Sequence, residues 1–291
     1  MKPAPFAYHR PRTGDEVDER LAEHGSEAKV LAGGQSLVPL LNMRLATPSH
    51  LIDINRLEGE PGEPAVREAV VAFGSLVRHG SVERSAEVAA RLPLLVEAIE
   101  YVGHPAIRSR GTVVGSIAHA DPSAELPAVL NVLEGEASVR SRRGRRSVKA
   151  VDFLVGPFRT VLDEDEWVDE VRFPIPARPH GTAFEEFARR SGDYALCGVA
   201  CVAERADDGR VEASLSYLGM GPVPVRLVMP PLGPDEMADG ALAEALEDAT
   251  RSRLEPIDDL HASGEYRMWL AKRLGLRAAR RAAASIPALH R

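Results

Sequence analysis

Lys29-Val30-Leu31-Ala32-Gly33-Gly34-Gln35-Ser36-Leu37 opens the stretch that decides the fold. Val30 to Ala32 is short and apolar and runs into two glycines, as a strand entering a tight turn does. Leu37, Leu40, Leu41 and Leu45 then recur at helical spacing. Ser36 stands where an N-cap belongs, and Pro39 is tolerated in a first turn. His50 to Ile54 reads as a buried strand. Residues 29–54 are therefore strand, glycine turn, helix, strand. A glycine turn at a helix start leaves backbone N–H groups unpaired and lets a phosphate come close. The residues alone leave two readings open: an anion site, or a turn that merely needs glycine. The pattern is neither the G-x-G-x-x-G dinucleotide fingerprint nor a P-loop.

Outward from this unit, Glu58 to Pro64 is a polar break and Ala69 to Gly74 a further strand. Ser85 to Val102 reads as largely helical, with Leu92, Leu95, Val96 and Ile99 as its stripe. Gly103 to Pro122 is the longest glycine-bearing turn region, with a helix after Ser123. Ser138 to Val151 looks like a hairpin, and its basic run Arg140 to Lys149 contains Gly144 and no aromatic residue, which suits a charged turn better than a nucleic-acid site. Trp167 to Phe173 is a strand ending at Pro174. Pro174 to Pro179 carries three prolines and is the candidate domain boundary. Strands near 182–190, 195–205 and 211–219 and helices at 235–252 and 262–284 follow. That order predicts a small antiparallel sheet covered by helices, hence an α+β chain.

The chain has 291 residues, a 44% hydrophobic composition and a formal net charge of −7. These values suit two domains and argue against wholesale nucleic-acid binding. No apolar segment approaches the length of a membrane span, and the N-terminus lacks a signal-peptide core. Two cysteines fit a reducing, cytoplasmic compartment. Strand spacing puts Cys197 and Cys201 on one face as small buried residues, too few for zinc or an iron–sulfur cluster. The histidines are scattered, with no metal-binding spacing, so no metal ligand is assigned.

A second segment carries chemistry: Arg110-Gly111-Thr112-Val113-Val114-Gly115-Ser116-Ile117-Ala118-His119-Ala120-Asp121-Pro122. Two glycines, two hydroxyls and an acid are parts that can hold a pyrophosphate and a ribose. Asp121 equally fits a plain helix cap.

Together, Ala32 to Leu40 and Arg110 to Pro127 resemble the FAD-binding medium subunit of molybdenum hydroxylases, the group of carbon monoxide dehydrogenase and xanthine dehydrogenase. The resemblance continues through Leu51 to Ile54, Phe153 to Phe158, Arg189 to Ala195 and His261 to Arg267, essentially the whole chain. It implies an FAD domain of the PCMH (vanillyl-alcohol-oxidase-like) type over 1–176, with lobes of about 1–57 and 58–176, then a C-terminal flavoprotein domain over 180–291. It implies that Ala32, Gly33, Gly34, Gln35, Ser36 and Leu37 wrap the FAD pyrophosphate. Gly111, Thr112, Gly115, Ser116 and Asp121 would contact pyrophosphate, ribose or flavin. The strand at Trp167 and Val168 would approach the isoalloxazine, and Asp193 and Tyr194 would close over the ring. Tyr194 would gate the flavin, although it also fits an ordinary half-buried strand aromatic, and Asp193 a turn acceptor.

The implied function is electron transfer from [2Fe–2S] clusters of a small subunit to an external acceptor. The molybdenum cofactor would belong to a large subunit. A stand-alone flavin oxidoreductase and a binding module with a decayed flavin site are the alternatives. Two departures bear on this. Val114 stands where the family usually has glycine. If that position needs φ > 0, FAD is expected to sit differently or bind less tightly. Ala188 stands where relatives often place a basic residue.

Relatives that tether FAD covalently can carry histidine just after the Gly-Gly pair, where this chain has the non-nucleophilic Gln35. Acid precipitation of the flavin-loaded protein is therefore expected to release all the flavin. Yellow colour retained in the washed pellet would contradict a non-covalent site.

Overall fold

The computed structural model describes residues 2–59, 62–233, 236–237 and 240–287. Its first lobe is built from the strand–turn–helix–strand unit. Strands β1 (Ala7–His9), β2 (Ala28–Leu31) and β3 (His50–Asp53) form a parallel sheet in the order β1-β3-β2. Helix Leu37–Met43 is the crossover between β2 and β3. It stops at Arg44, which turns left-handed at φ 57°, so Leu45 falls outside the helical stripe and is 72% exposed. Helix Gly14–His24, capped by the Thr13 side chain, buries Val17 and Leu21 against Ile52, Ile54 and Trp167.

The second lobe is an antiparallel sheet of β4 (Ala65–Val66), β5 (Val70–Gly74), β6 (Glu136–Ser141), β7 (Gly144–Lys149) and β10 (Trp167–Pro174), ordered β4-β5-β10-β6-β7. The basic run forms the β6–β7 hairpin, with Gly144 at φ +114° in its turn. Short strands β8 (Leu154–Gly156) and β9 (Arg159–Thr160) pair with each other. The helical stretch expected over Ser85 to Val102 is two helices, Ala86–Arg91 and Pro93–Tyr101. They meet at Leu92, because a residue preceding proline is pushed out of the helical region. Gly103 to Pro122 is likewise not one open turn. It holds helices Pro105–Arg108 and Val113–His119.

Strands β11 (His180–Ala188), β12 (Ala195–Arg205), β13 (Val211–Leu218) and β14 (Val225–Val228) form the last sheet, antiparallel in that order. The sequence reading lacks β14, whose Val225-Arg226-Leu227-Val228 is too short and too near prolines to register. Helices Gly240–Arg253 and Gly264–Ala284 cover this sheet. The start of the helix expected over 235–252 lies partly outside the described residues.

β12 is buried on both faces, which explains its nearly continuous apolar run. Ala200 and Val202 pack into the core of the second lobe. Cys197, Val199, Cys201 and Ala203 face the core beneath the C-terminal helices. The two free thiols do share a face, and burial pushes that of Cys201 up to about 12. Polar contacts accompany the seam between the lobe and the last sheet. The Phe184 amide donates to Glu97 at 3.0 Å, and Asn131 donates to Ser216 Oγ at 3.2 Å and the Pro224 carbonyl at 3.0 Å.

The last helix approaches β13 through Gly275. Tyr217 is fully buried and donates its hydroxyl to the Ala271 carbonyl at 3.2 Å. A Cβ on Gly275 would run into that hydroxyl and lie 3.1 Å from the Tyr217 Cζ atom. Gly275→Ala is therefore expected to destabilise the fold by about 1–3 kcal/mol, as overpacking does. Chemical denaturation measures this, and an unchanged midpoint would contradict the packing described.

Candidate functional site

The two glycine segments, 78 positions apart at Gly33 and Gly111, meet in space. A Cβ on Gly33 would strike the Arg110 carbonyl and sit 2.8 Å from Gly111 Cα. Only backbone without side chain allows the two loops to come this close. Gly34 follows at φ +74°, a conformation L-residues rarely adopt. Gly111 in turn lies over the buried His79 ring, with a Cβ there only 2.9 Å from Nδ1. Burial holds His79 down to about 4, so the ring is neutral at pH 7.

A polar network ties these loops to both lobes. The Asn55 side-chain amide donates to the Ala32 carbonyl at 2.7 Å and to Asp53 Oδ1 at 2.6 Å. The Asn55 backbone amide donates to the same oxygen at 2.9 Å. Tyr8 donates its hydroxyl to Asp53. Arg78 donates to Asn55 Oδ1 from one guanidinium nitrogen and to the Arg110 carbonyl from the other. Burial and the neighbouring charge of Arg110 hold Arg78 below the usual guanidinium range. The backbone adds a bridge: the His79 amide donates to the Gly111 carbonyl at 2.9 Å and Val113 to that of Val77 at 3.1 Å. Neither Arg78 nor Asn55 was identified from sequence, since nothing around them repeats and their partners are 23 and 32 residues away.

At the start of helix Leu37–Met43, Val38 donates its amide to the Gly34 carbonyl at 3.0 Å, Leu40 to the Ser36 carbonyl at 3.4 Å, and Pro39 has no N–H. Ser36 holds the N-cap position, but its hydroxyl makes no capping bond. Gln35 folds back to donate to the Gly33 carbonyl at 3.2 Å. Thr112 caps the other helix, accepting from Gly115 at 3.0 Å, and Gly115 is needed because a Cβ would collide with that hydroxyl. Ser116 and His119 are half-buried on the same short helix. Bare backbone and a free hydroxyl on one side, with a capped helix start on the other, fit an anionic phosphate chain.

Val114 does not carry the strain expected of it. It is helical, not at positive φ, and 4% exposed in the core. A β-branched residue suits that position, so the expected weakening of the site has no structural basis here. Asp121 does not cap the following helix. Its carboxylate accepts from the Ser123 amide at 2.9 Å, and the helix Glu125–Val132 starts after Ala124 instead. The turn is sharpened by Ala120 at φ 54°, whose carbonyl accepts from Phe158 at 2.8 Å.

Trp167 and Val168 are both buried, at 3% and 4% exposure. Trp167 donates its indole N–H to Asp18 at 2.8 Å inside the first lobe, and Val168 belongs to the main core. Asp193 and Tyr194 lie in the loop before β12. Gly192, at φ +81°, packs on the His104 ring, where a Cβ would sit 2.8 Å from Nδ1. Tyr194 is not the half-buried strand aromatic that its sequence context allowed: it is 72% exposed. Partial burial, then the charges of Asp121 and Glu125, raise its pKa. Gly219 anchors the same region, donating to the Pro122 carbonyl at 2.9 Å. Ala188 lines a cleft of about 370 Å³ with Tyr101, Glu186, Arg190 and Gly192.

Comparison with known proteins agrees with this arrangement. Residues 4–176 match the FAD binding domain in molybdopterin dehydrogenase, and residues 182–282 match the CO dehydrogenase flavoprotein C-terminal domain. The chain is 39% identical to the nicotine 6-hydroxylase medium subunit of Paenarthrobacter nicotinovorans, over 94% of this chain and 96% of that one. It is 37% identical to caffeine dehydrogenase subunit beta of Pseudomonas sp. strain CBB1, over 97% and 96%. A solved structure of carbon monoxide dehydrogenase from Hydrogenophaga pseudoflava, which lacks the Mo-pyranopterin moiety of its molybdenum cofactor, contains a chain that superposes with a TM-score of 0.89 at 34% identity, over 99% of this chain and 100% of that chain. The mixed helix-and-sheet fold is thus that of the medium subunit, consistent with a PCMH-type FAD domain. This chain belongs to the family of FAD-binding medium subunits of molybdenum hydroxylases, oxidoreductases that include the carbon monoxide dehydrogenase flavoproteins.

Proposed function

We propose that the chain is the electron-transfer flavoprotein of a molybdenum hydroxylase, taking electrons from a [2Fe–2S] subunit and passing them to an external acceptor. The observation that carries this reading is the seating of Gly33 on Arg110-Gly111, which brings two bare-backbone loops from different lobes to one place. FAD suits the step because it can accept electrons singly and deliver one or two.

The chain's own residues position and shield. Ala32 to Leu37 hold the pyrophosphate through backbone amides and the Ser36 hydroxyl, without a covalent link. Gly111, Thr112, Gly115, Ser116 and Asp121 form the opposite wall, and the Val168 strand backs it. Asp193 and Tyr194 cover the flavin side, with Tyr194 limiting access of acceptor or oxygen. Exposed Val155 and Phe158, the latter with its ring 5.2 Å from that of His119, offer apolar surface for the iron–sulfur partner. The large molybdenum subunit completes the assembly. Among the described residues no helix is long and apolar enough to cross a membrane. A cytoplasmic location follows from the proposed complex and the two free, buried thiols.

The Tyr194 side of the site is also kept low in charge. Burial raises the pKa of Glu186 strongly, and the charge of Glu125 raises it further. Burial likewise raises Glu125, with Asp121 adding to it against the helix-start amide. Glu186 Oε2 is shielded and has no hydrogen-bond partner, as suits a protonated acid.

Gly34→Asp places a carboxylate in the proposed phosphate cradle at a positive-φ position. In the complex purified from its host, this variant is expected to keep iron and molybdenum but lose FAD. Substrate should then reduce the clusters without reducing the acceptor. Full FAD content in a soluble variant would remove 33–36 from the site, and substrate turnover by the isolated wild-type chain would favour a stand-alone oxidoreductase.

Raised carboxyl pKa values have a definite sign. From pH of about 4.3 upward the unfolded chain loses these protons while the folded chain keeps them, so stability falls as pH rises towards the folded values. Glu186→Gln removes part of that fall. It is expected to match the parent near pH 4 and to be more stable by about 1–3 kcal/mol at pH 8. Parallel denaturation midpoints for parent and variant across that range would show Glu186 to be ionised and solvated.

A further inference from the structure

Three histidines that are far apart in sequence form a cluster at the first-lobe sheet. His9 ends β1, His50 begins β3, and His24 ends helix Gly14–His24. Parallel pairing sets Ala7 opposite His50 and His9 opposite Ile52, so the two strand histidines are diagonal neighbours on one sheet face. Helix Gly14–His24 lies over the face that carries Ile52 and delivers His24 to the same point. His9 Nε2 and His50 Nδ1 are 2.9 Å apart. The His24 and His50 rings stack at 3.6 Å between centroids, and His9 lies 5.1 Å from His24. One nitrogen from each ring falls within 4.8 Å of the others.

Two further observations point to a ligand. His24 Nε2 is shielded from solvent and has no hydrogen-bond partner. Glu23 Oε2 lies 3.7 Å from it, too far for a hydrogen bond but placed to share a cation. The cluster also sits at a helix C-terminus, where unpaired carbonyls favour positive charge. Arg20 is the opposing charge nearby, and it is paired with Glu23 at 2.7 Å.

We propose that His9, His24 and His50 bind a divalent transition metal of the imidazole-preferring class, with zinc the first candidate and Glu23 or water in the fourth place. Imidazole nitrogens about 2.0–2.1 Å from a tetrahedral zinc stand about 3.3 Å apart, so the His9–His50 pair has only to open slightly and His24 to turn inward. The metal would fasten the end of the helix to β1 and β3. His9 follows Tyr8, whose hydroxyl holds Asp53 and through it Asn55 and the Ala32 carbonyl. The site is therefore structural, one strand face away from the flavin cradle, and does not depend on how that cradle is used.

The test uses the full chain with any affinity tag removed, titrated with zinc chloride and, separately, with cobalt(II). One equivalent of zinc per chain is expected, with a rise in thermal midpoint and a visible cobalt(II) band of tetrahedral type. His9→Gln and His50→Gln should each weaken zinc binding about tenfold or more and abolish the thermal shift, while His180→Gln, at an unrelated surface, should not. Anomalous diffraction at the zinc edge on wild-type crystals provides a readout that requires no variant. Density between the three rings supports the site. Density elsewhere, no saturable binding at roughly 100 µM zinc, or binding unchanged in both strand variants would overturn it.

Discussion

The contact of Gly33 with the Arg110-Gly111 backbone is the constraint on which the rest of the site depends. It joins a parallel three-stranded lobe to an antiparallel five-stranded one through two turns, at Gly33 and Gly111, that carry no side chain at the contact. Two backbone segments this close must have their polar groups satisfied, and Arg78 and Asn55 do so by bonding the Arg110 and Ala32 carbonyls. The same bonds consume those two carbonyls, and the Ser36 hydroxyl at the following helix start makes no capping bond. The bare-backbone junction therefore results from solving a packing problem, and it inherits the rigidity of two cores instead of the mobility of a loop.

Much of the architecture was legible because it rests on local periodicity. The unit at 29–54, the basic hairpin and three of the four strands of the C-terminal sheet appear within a few residues of where apolar patterning places them. What was not legible depends on contacts across the sequence. Gly103 to Pro122 contains two helices, of about one and two turns, and the longer is stabilised by burying Val113, Val114 and Ile117. Propensity and glycine content point the other way, and tertiary burial wins. Asp121 was a reasonable cap candidate, yet its carboxylate satisfies the nearer Ser123 amide and the helix starts later.

The site residues divide in the same manner. Glycines and hydroxyls in the two segments could be named, because tight turns and helix starts demand those residue types. Arg78 could not, since a single arginine after an apolar strand has no distinguishing neighbours. The histidine cluster was invisible for a related reason. Residues 9, 24 and 50 share no spacing, and only strand pairing in parallel, with a helix laid across it, makes them neighbours. Val114 shows the opposite error. Compared with a glycine it looked like a defect, but a helical and buried position suits valine, so the identity of a residue says little until its φ and its neighbours are known.

Tyr194 illustrates how a mobile-looking residue can be held in place. Its ring is exposed, yet Ala195 begins a strand that is buried on both faces, and Gly192 is pinned on His104. The backbone on either side of the tyrosine is thus fixed by two different bodies: β12, wedged between the second lobe and the C-terminal helices, and the helix start at His104. A ring carried on so short a tether can change rotamer but cannot travel far. Any opening at this position must then involve either that rotamer or a shift of the whole C-terminal sheet against the lobe. The seam that would have to slip contains Phe184, Ala200, Val202 and Leu218 in one continuous core, with Asn131 bridging to Ser216 and Pro224. Breaking it would expose apolar surface and leave polar groups unpaired, whereas a tyrosine χ1 change exposes nothing new. Rotamer motion of Tyr194 is therefore the cheaper of the two, and it is the motion that the proposed gating of an acceptor would use.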